Sequence, residues 1–281
     1  MKYVDGETLE SVLERLRAGD PEAVRTYDIP RRVQIFMQVL RALQFAHERG
    51  IIHRDVKPAN VMVGRFGEVV LMDWGVARTI GVEGRVAKPD TAALPLAETL
   101  VGQTAPTRAS NTRAGALIGT PLYMSPEQAR GANDELDERS DLYSAGVMLF
   151  ELLALEHPHA KHKTLTSLLH AIQTYEPPRA SILFASVPQK GIGAEYAHFV
   201  NRALQRDPTK RWQSAKEMVE QLHLILQGRF RVQCPVTFMK RGSLLLAELV
   251  DRSPPLAMWL GIGVAVLFAA LVANAIRDLL G

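Results

Sequence analysis

Apolar positions fall at helical spacing twice near the start of the chain. Leu9, Val12, Leu13 and Leu16 recur at i, i+3, i+4 and i+7 behind Thr8, whose hydroxyl suits an N-cap, and Gly19 ends the run. Pro30 opens a second helix, with Val33, Phe36, Met37, Leu40 and Leu43 on one face, and Gly50 closes it. The period then changes. Residues 60–63 and 69–72 are short apolar runs around Gly64-Arg65-Phe66-Gly67, a pattern that predicts a β-hairpin. Residues 1–4 read as the tail of a strand.

From Arg78 to about Ala116 periodicity disappears into an Ala-, Thr-, Pro- and Gly-rich stretch, which predicts a long loop. Residues 142–155 are apolar nearly all round, so they predict a central buried helix. Helical spacing continues over 165–173 and 194–204. Ser214-Ala215-Lys216-Glu217 has the capping-box form that opens a last helix. Residues 256–276 carry no charge at all. As a helix they would extend about 31 Å, the thickness of a bilayer's hydrocarbon core. They predict a transmembrane helix, with Trp259 where an interfacial ring is favoured.

Composition adds limits. The 281 residues are 47% apolar and 22% charged, which excludes wholesale disorder. The single cysteine, Cys234, excludes an internal disulfide. The net charge of +3 is localised. Residues 1–227 are balanced, and the excess comes from Arg229, Arg231, Lys240, Arg241 and Arg252 in 228–255. Charge confined to one short stretch argues against a nucleic-acid-binding face. Placed before an apolar span, it puts residues 1–255 in the cytoplasm, at the inner (cytoplasmic) membrane, with a single pass and a short tail over 277–281. Gly261, Ala265, Ala269 and Ala273 recur every four residues, a spacing that permits a packed homodimer.

The candidate chemistry lies between the second helix and the hairpin, in His53-Arg54-Asp55-Val56-Lys57-Pro58-Ala59-Asn60. After the hairpin comes Asp73-Trp74-Gly75, and further on Gly119-Thr120-Pro121-Leu122-Tyr123-Met124-Ser125-Pro126-Glu127. Asp141-Leu142-Tyr143-Ser144-Ala145-Gly146 and Arg206-Asp207-Pro208-Thr209-Lys210-Arg211-Trp212 follow. This ordered set resembles the protein-kinase signature. The phrase GTPLYMSPEQARG resembles the bacterial eukaryotic-like (Hanks-type) serine/threonine protein kinase family in particular. DWG stands where the family has DFG, and SPE where it has APE.

The resemblance implies a protein-kinase-like α+β fold, here mostly its α-helical C-terminal lobe over 1–227, with a long activation loop over 76–119. A basic juxtamembrane linker over 228–255 and one transmembrane helix over 256–276 complete the expected layout. Phosphoryl transfer needs positioning and charge neutralisation more than covalent catalysis. By resemblance, Asp55 orients the acceptor hydroxyl and takes its proton, and Lys57 neutralises the transferring group. Asn60 and Asp73 hold Mg²⁺ against the phosphates of ATP, as hard oxygen ligands suit that ion. Val4, in the hinge-like segment MKYVDG, and Met62 would meet the adenine. Arg54 resembles the arginine that receives an activation-loop phosphate. Thr120 fits the threonine that contacts Asp55 and the substrate, Asp141 matches a structural aspartate, and Glu127 with Arg211 resembles a buried ion pair. The expected partners are proteins with Ser or Thr acceptors.

The family's small lobe carries a Gly-rich loop, GxGxxG, and a strand lysine in VAIK; neither motif occurs in these residues. The expectation is therefore a membrane-anchored serine/threonine kinase lacking its small lobe through truncation. Two alternatives stand beside it: a membrane-tethered pseudokinase or scaffold, and a small-molecule phosphotransferase. His157, His159, His162 and His170 read as a solvated loop cluster, and Asp134-Glu135-Leu136-Asp137-Glu138 as a solvated acidic run.

Overall fold

Thr8 caps the first helix as its sequence predicts: its Oγ1 accepts the Ser11 N–H at 3.2 Å. That contact belongs to a computed structural model that describes residues 5–79, 121–178, 183–184, 187–189, 191–231 and 233–252, without the side chains of 245, 246, 248–250 and 252. The chain divides into two units, Met1–Leu226 and Gln227–Gly281.

In the first unit, β1 (Gly6–Thr8) leads into α1 (Leu9–Arg17), α2 (Pro21–Thr26) and α3 (Ile29–His47). The predicted stripes of α1 and α3 are buried. Asp28, not Pro30, starts α3, because its carboxylate accepts the Arg31 N–H at 2.8 Å. The predicted hairpin forms as β3 (Val61–Gly64) and β4 (Val69–Leu71), paired antiparallel with Met62 opposite Val70. β1 adds to its other edge with Thr8 opposite Met62, giving the order β1-β3-β4. Gly6 is required there: a Cβ would lie 2.1 Å from the Val63 carbonyl oxygen. A second small sheet pairs β2 (Ile51–Ile52) with β5 (Arg78–Thr79).

The helical part follows. α4 (Pro126–Ala129) is short, and α5 (Glu138–Ala154) is buried along nearly its whole length, as the all-round apolar run predicts. α6 (Leu165–Thr174), α7 (Ala194–Ala203) and α8 (Ala215–Leu226) complete the unit. α3 packs on α8 and α5, and α5 on α7. Burying each large aliphatic side chain in these contacts contributes roughly 1.5–3 kcal/mol. Gly146 sets the α5–α7 approach, since a Cβ would meet the Ala203 Cβ at 2.6 Å. The capping box before α8 is half formed: Ser214 accepts the Glu217 N–H, while the Glu217 carboxylate takes the N–H of Gln213 instead of Ser214.

Two readings of the loops are corrected. His157 and His159 are buried, not solvated, and Tyr123 and Tyr175 each set an edge-on ring against one of them. Within the acidic run, Asp137 caps α5 by accepting the Arg139 N–H, and Leu136 is buried.

In the second unit, the expected linker carries a helix, α9 (Pro235–Arg252). Thr237 Oγ1 accepts the N–H groups of Gln233 and Cys234 at its start. Among the described residues no helix is long and apolar enough to cross a membrane. The 256–276 span, Val4, Thr120 and nearly all of the 76–119 loop lie outside the described residues.

Candidate active site

The 53–60 segment is a turn clamped by its own side chains. Asn60 Nδ2 donates to the Asp55 carbonyl at 2.8 Å and to Asp55 Oδ2 at 2.9 Å. Lys57 Nζ reaches the same Oδ2 at 2.7 Å. Asp55 is thus fixed by an amide and an ammonium, with both charged side chains largely buried. A 3₁₀ turn over Pro58–Asn60 delivers Asn60 straight into β3.

The hairpin then returns the chain to the same place. The Met72 N–H donates to the Asn60 carbonyl at 2.8 Å, so Asp73 follows directly beside Asn60. Asp73 takes a left-handed backbone with φ of 59°, an unusual state for a residue with a side chain. Its carboxylate is exposed and accepts the Gly75 N–H at 3.4 Å. Trp74 sets its ring edge-on against His53 at 4.5 Å, and its Nε1–H donates to the Leu71 carbonyl at 3.1 Å. A phenylalanine could supply the ring contact but not that hydrogen bond.

His53 ties the two segments together. Its Nδ1 accepts the Asp55 N–H at 3.3 Å, which places the ring proton on Nε2, 2.9 Å from the Met72 carbonyl. Beneath it, Asp141 is almost wholly buried in α5. Its Oδ2 accepts the His53 N–H and its Oδ1 the Arg54 N–H, both at 2.8 Å. Those two bonds hold Arg54 at φ of 70°, left-handed like Asp73.

The Arg54 guanidinium donates to Asn133 Oδ1 at 3.0 Å. Partial burial and the nearby charge of Arg78 lower its affinity for a proton, against the pull of Asp141. Gln128 serves two places: its Oε1 accepts the Ser125 N–H in a capping box, and its Nε2 donates to the Arg54 carbonyl at 2.8 Å. Beyond it, Glu127 and Arg211 form the expected buried pair, two parallel bonds at 2.7 and 2.9 Å. Burial alone would raise Glu127, but Arg211 and Ser140 hold it below the usual carboxylate range. Arg211 spends its remaining donors on the carbonyls of Gln205, Arg206 and Arg139.

These residues can hold a divalent cation. Asn60 commits its amide nitrogen to Asp55, leaving Oδ1 as an oxygen donor, and the exposed Asp73 follows the Met72 N–H that bonds the Asn60 carbonyl. Among the described residues no cage of three His, Cys, Asp or Glu exists. Mg²⁺ needs none, because it binds one or two side-chain oxygens and takes its remaining ligands from water and phosphate. Met62 is half-buried in β3.

Sequence reasoning missed His47, whose Nε2 lies 2.8 Å from Asp141 Oδ2, and the bridge made by Gln128. The signal for Gln128 was present: Ser125 and Gln128 stand at capping-box spacing. His47 gave none beyond its place at the end of a periodic helix.

Comparison with known proteins places this geometry. The family described as protein kinase domain matches residues 1–224. A probable serine/threonine-protein kinase of Streptomyces coelicolor is 35% identical over 229 residues, covering 82% of this chain and 28% of that protein. Serine/threonine-protein kinase PknB of Mycobacterium tuberculosis is 33% identical over 257 residues, covering 91% of this chain and 34% of that protein. PknD of Protochlamydia amoebophila is 30% identical, over 83% of this chain and 23% of its own length. The chain therefore spans a third or less, in round terms, of the curated relatives it matches.

Proposed function

The chain belongs to the protein kinase domain family, and from that premise we propose that it is the catalytic lobe of a serine/threonine protein kinase. The reaction is transfer of the γ-phosphoryl group of ATP to Ser or Thr hydroxyls of proteins. The observation that carries this reading is the Asn60 clamp, whose amide nitrogen fixes Asp55 and leaves Oδ1 as an oxygen donor.

Each residue then has a task. Asp55 orients the acceptor hydroxyl and takes its proton, as a held carboxylate can. Lys57, now on Asp55, shifts its charge toward the transferred group as that group arrives. Asn60 Oδ1 and the Asp73 carboxylate would hold Mg²⁺, which supplies charge neutralisation for the phosphates. By the family pattern, Met62 and Val4 would meet the adenine. Arg54, donating to Asn133 and half-buried beside Arg78, is suited to receive a loop phosphate. By the family pattern, Thr120 would contact Asp55 and the substrate.

We further propose that residues 256–276 span the inner (cytoplasmic) membrane once and keep residues 1–255 on the cytoplasmic side, with the small-residue spacing available for a homodimer. The uncharged run and the basic flank support this. The reading is tested by Mg·ATP-dependent phosphorylation of a Ser/Thr substrate, with and without Asp55→Asn.

A further inference from the structure

α9 has two unlike faces. Thr237, Lys240, Arg241 and Leu244 recur at i, i+3, i+4 and i+7, and all four meet the segment that leads into the helix. Thr237 Oγ1 accepts the N–H groups of Gln233 and Cys234, Arg241 donates to the Phe230 carbonyl at 3.1 Å, and Lys240 lies over the buried Phe230 ring. Leu244 fits against Gly228, where a Cβ would come within 3.1 Å of it.

The other face is open. Phe238 is 67% exposed and Met239 74%, and a Cβ on Gly242, one turn further on, would meet nothing within 4 Å. In the sequence, helical spacing carries this stripe on through Leu245, Leu246 and Leu249. A continuous exposed apolar stripe marks an interaction surface.

Its partner is named by what adjoins it. α9 ends at Arg252, and the uncharged run begins at Leu256. Four residues reach at most about 14 Å. Pro254 and Pro255 stand between, and a proline pair disfavours one unbroken helix, so the chain can change direction there. The whole charge excess of the chain lies alongside, and Arg229, Arg231, Lys240 and Arg241 are all exposed. An apolar stripe on a basic helix, tethered this close to a membrane span, matches a leaflet of anionic lipid.

We propose that α9 lies in the plane of the cytoplasmic leaflet, with Phe238 and Met239 inserted at the acyl boundary and the neighbouring cations on anionic headgroups. Residues 228–252 are then a membrane-surface element instead of a free linker. This inference rests on the proposed span over 256–276.

The test uses the full chain reconstituted in vesicles of equal parts phosphatidylglycerol and phosphatidylcholine. In a Cys234→Ser background, a nitroxide is attached at Phe238→Cys, Met239→Cys, Asp251→Cys or Ala265→Cys, and its collisions with oxygen and with a water-soluble nickel complex are measured. Positions 238 and 239 are exposed, so two independent substitutions report on the face without disturbing packing. The oxygen-to-nickel ratio at both is expected to exceed that at 251 at least about threefold, as for a face about 5–10 Å inside the headgroup boundary. That contrast should shrink in phosphatidylcholine alone. Position 265 reports the span separately. Nickel reaching 238 and 239 as freely as 251, while 265 stays oxygen-favoured, would overturn the inference and leave the span intact. Labels at 238 and 239 shielded from both reagents would also overturn it, because protein and not lipid would then cover the face. Nickel reaching 265, 238 and 239 alike would overturn both.

Discussion

The carboxylate of Asp141 accepts the backbone N–H of Arg54 at 2.8 Å, joining α5 to a turn 87 positions earlier in the chain. The same side chain takes the His53 N–H and faces His47 Nε2. One buried acceptor thus sets the backbone from which Asp55 projects, and holds Arg54 in a left-handed conformation. Asp141→Asn would turn an N–H donor toward one of these N–H groups. Hydrogen bonds to a charged group contribute about 1.5–3 kcal/mol each, so the expected loss of stability is about 3 kcal/mol. Urea unfolding checks this, as a lower midpoint at unchanged slope.

Glu127 and Arg211 fasten α4 to the segment before α8. Removing one partner of a buried pair leaves the other uncompensated, at a cost of about 3–5 kcal/mol, so Arg211→Met is expected to lose that much. The pH sign follows from the lowered Glu127. Its contribution is present above the ordinary carboxylate value of 4.5 and lost as pH falls through the lower folded value. Unfolding of wild type and variant should therefore converge in acid; a gap that persists unchanged to low pH would refute the assignment.

His157 and His159 predict a second acid sensitivity, at milder pH. Burial, aided by the Arg17 charge at His157 and by the neighbouring histidines at His159, pushes each down from 6.5 to about 3. The fold favours the neutral rings, while the unfolded chain takes up protons below 6.5. Stability is therefore intact above that value and falls as pH drops toward 3. At pH 5 each ring should cost about 2 kcal/mol relative to pH 7.5. His159→Phe keeps the aromatic contact with Tyr175 and should remove its share; denaturation midpoints at the two pH values measure the difference.

Membrane topology is open to direct labelling, because Cys234 is the sole cysteine. In intact spheroplasts a membrane-impermeant maleimide should miss Cys234 and label Gly281→Cys in a Cys234→Ser background. Labelling of Cys234 before lysis would reverse the proposed orientation.

Much of this architecture was legible in the residues. The stripes of α1 and α3, the 61–71 hairpin and the buried α5 follow from periodicities long enough to register. β2 and β5 have two residues each, and β1 only three, so they exist through pairing with distant chain that no local pattern encodes. α2, with six residues, is called into being by the Asp20 cap, whose carboxylate accepts the Glu22 and Ala23 N–H groups. At the site, the 53–60 and 73–75 motifs were readable because their residues are close in sequence. The His47–Asp141 contact was not, since it spans 94 positions. His157 and His159 misled for a related reason: a polar residue name carries no information on whether rings from elsewhere will cover it. Trp74 keeps the ring contact a phenylalanine would make and adds a bond to the Leu71 carbonyl.

The most direct test of the central claim is phosphoryl transfer from γ-labelled ATP by the gene product, with any residues encoded upstream of Met1 included. Wild-type protein should place label on serine and threonine in a Mg²⁺-dependent manner, and Asp55→Asn should cut the rate by at least about a hundredfold, the usual contribution of a positioned acid–base group. Equal rates for the two proteins, or label found only on tyrosine, would contradict it.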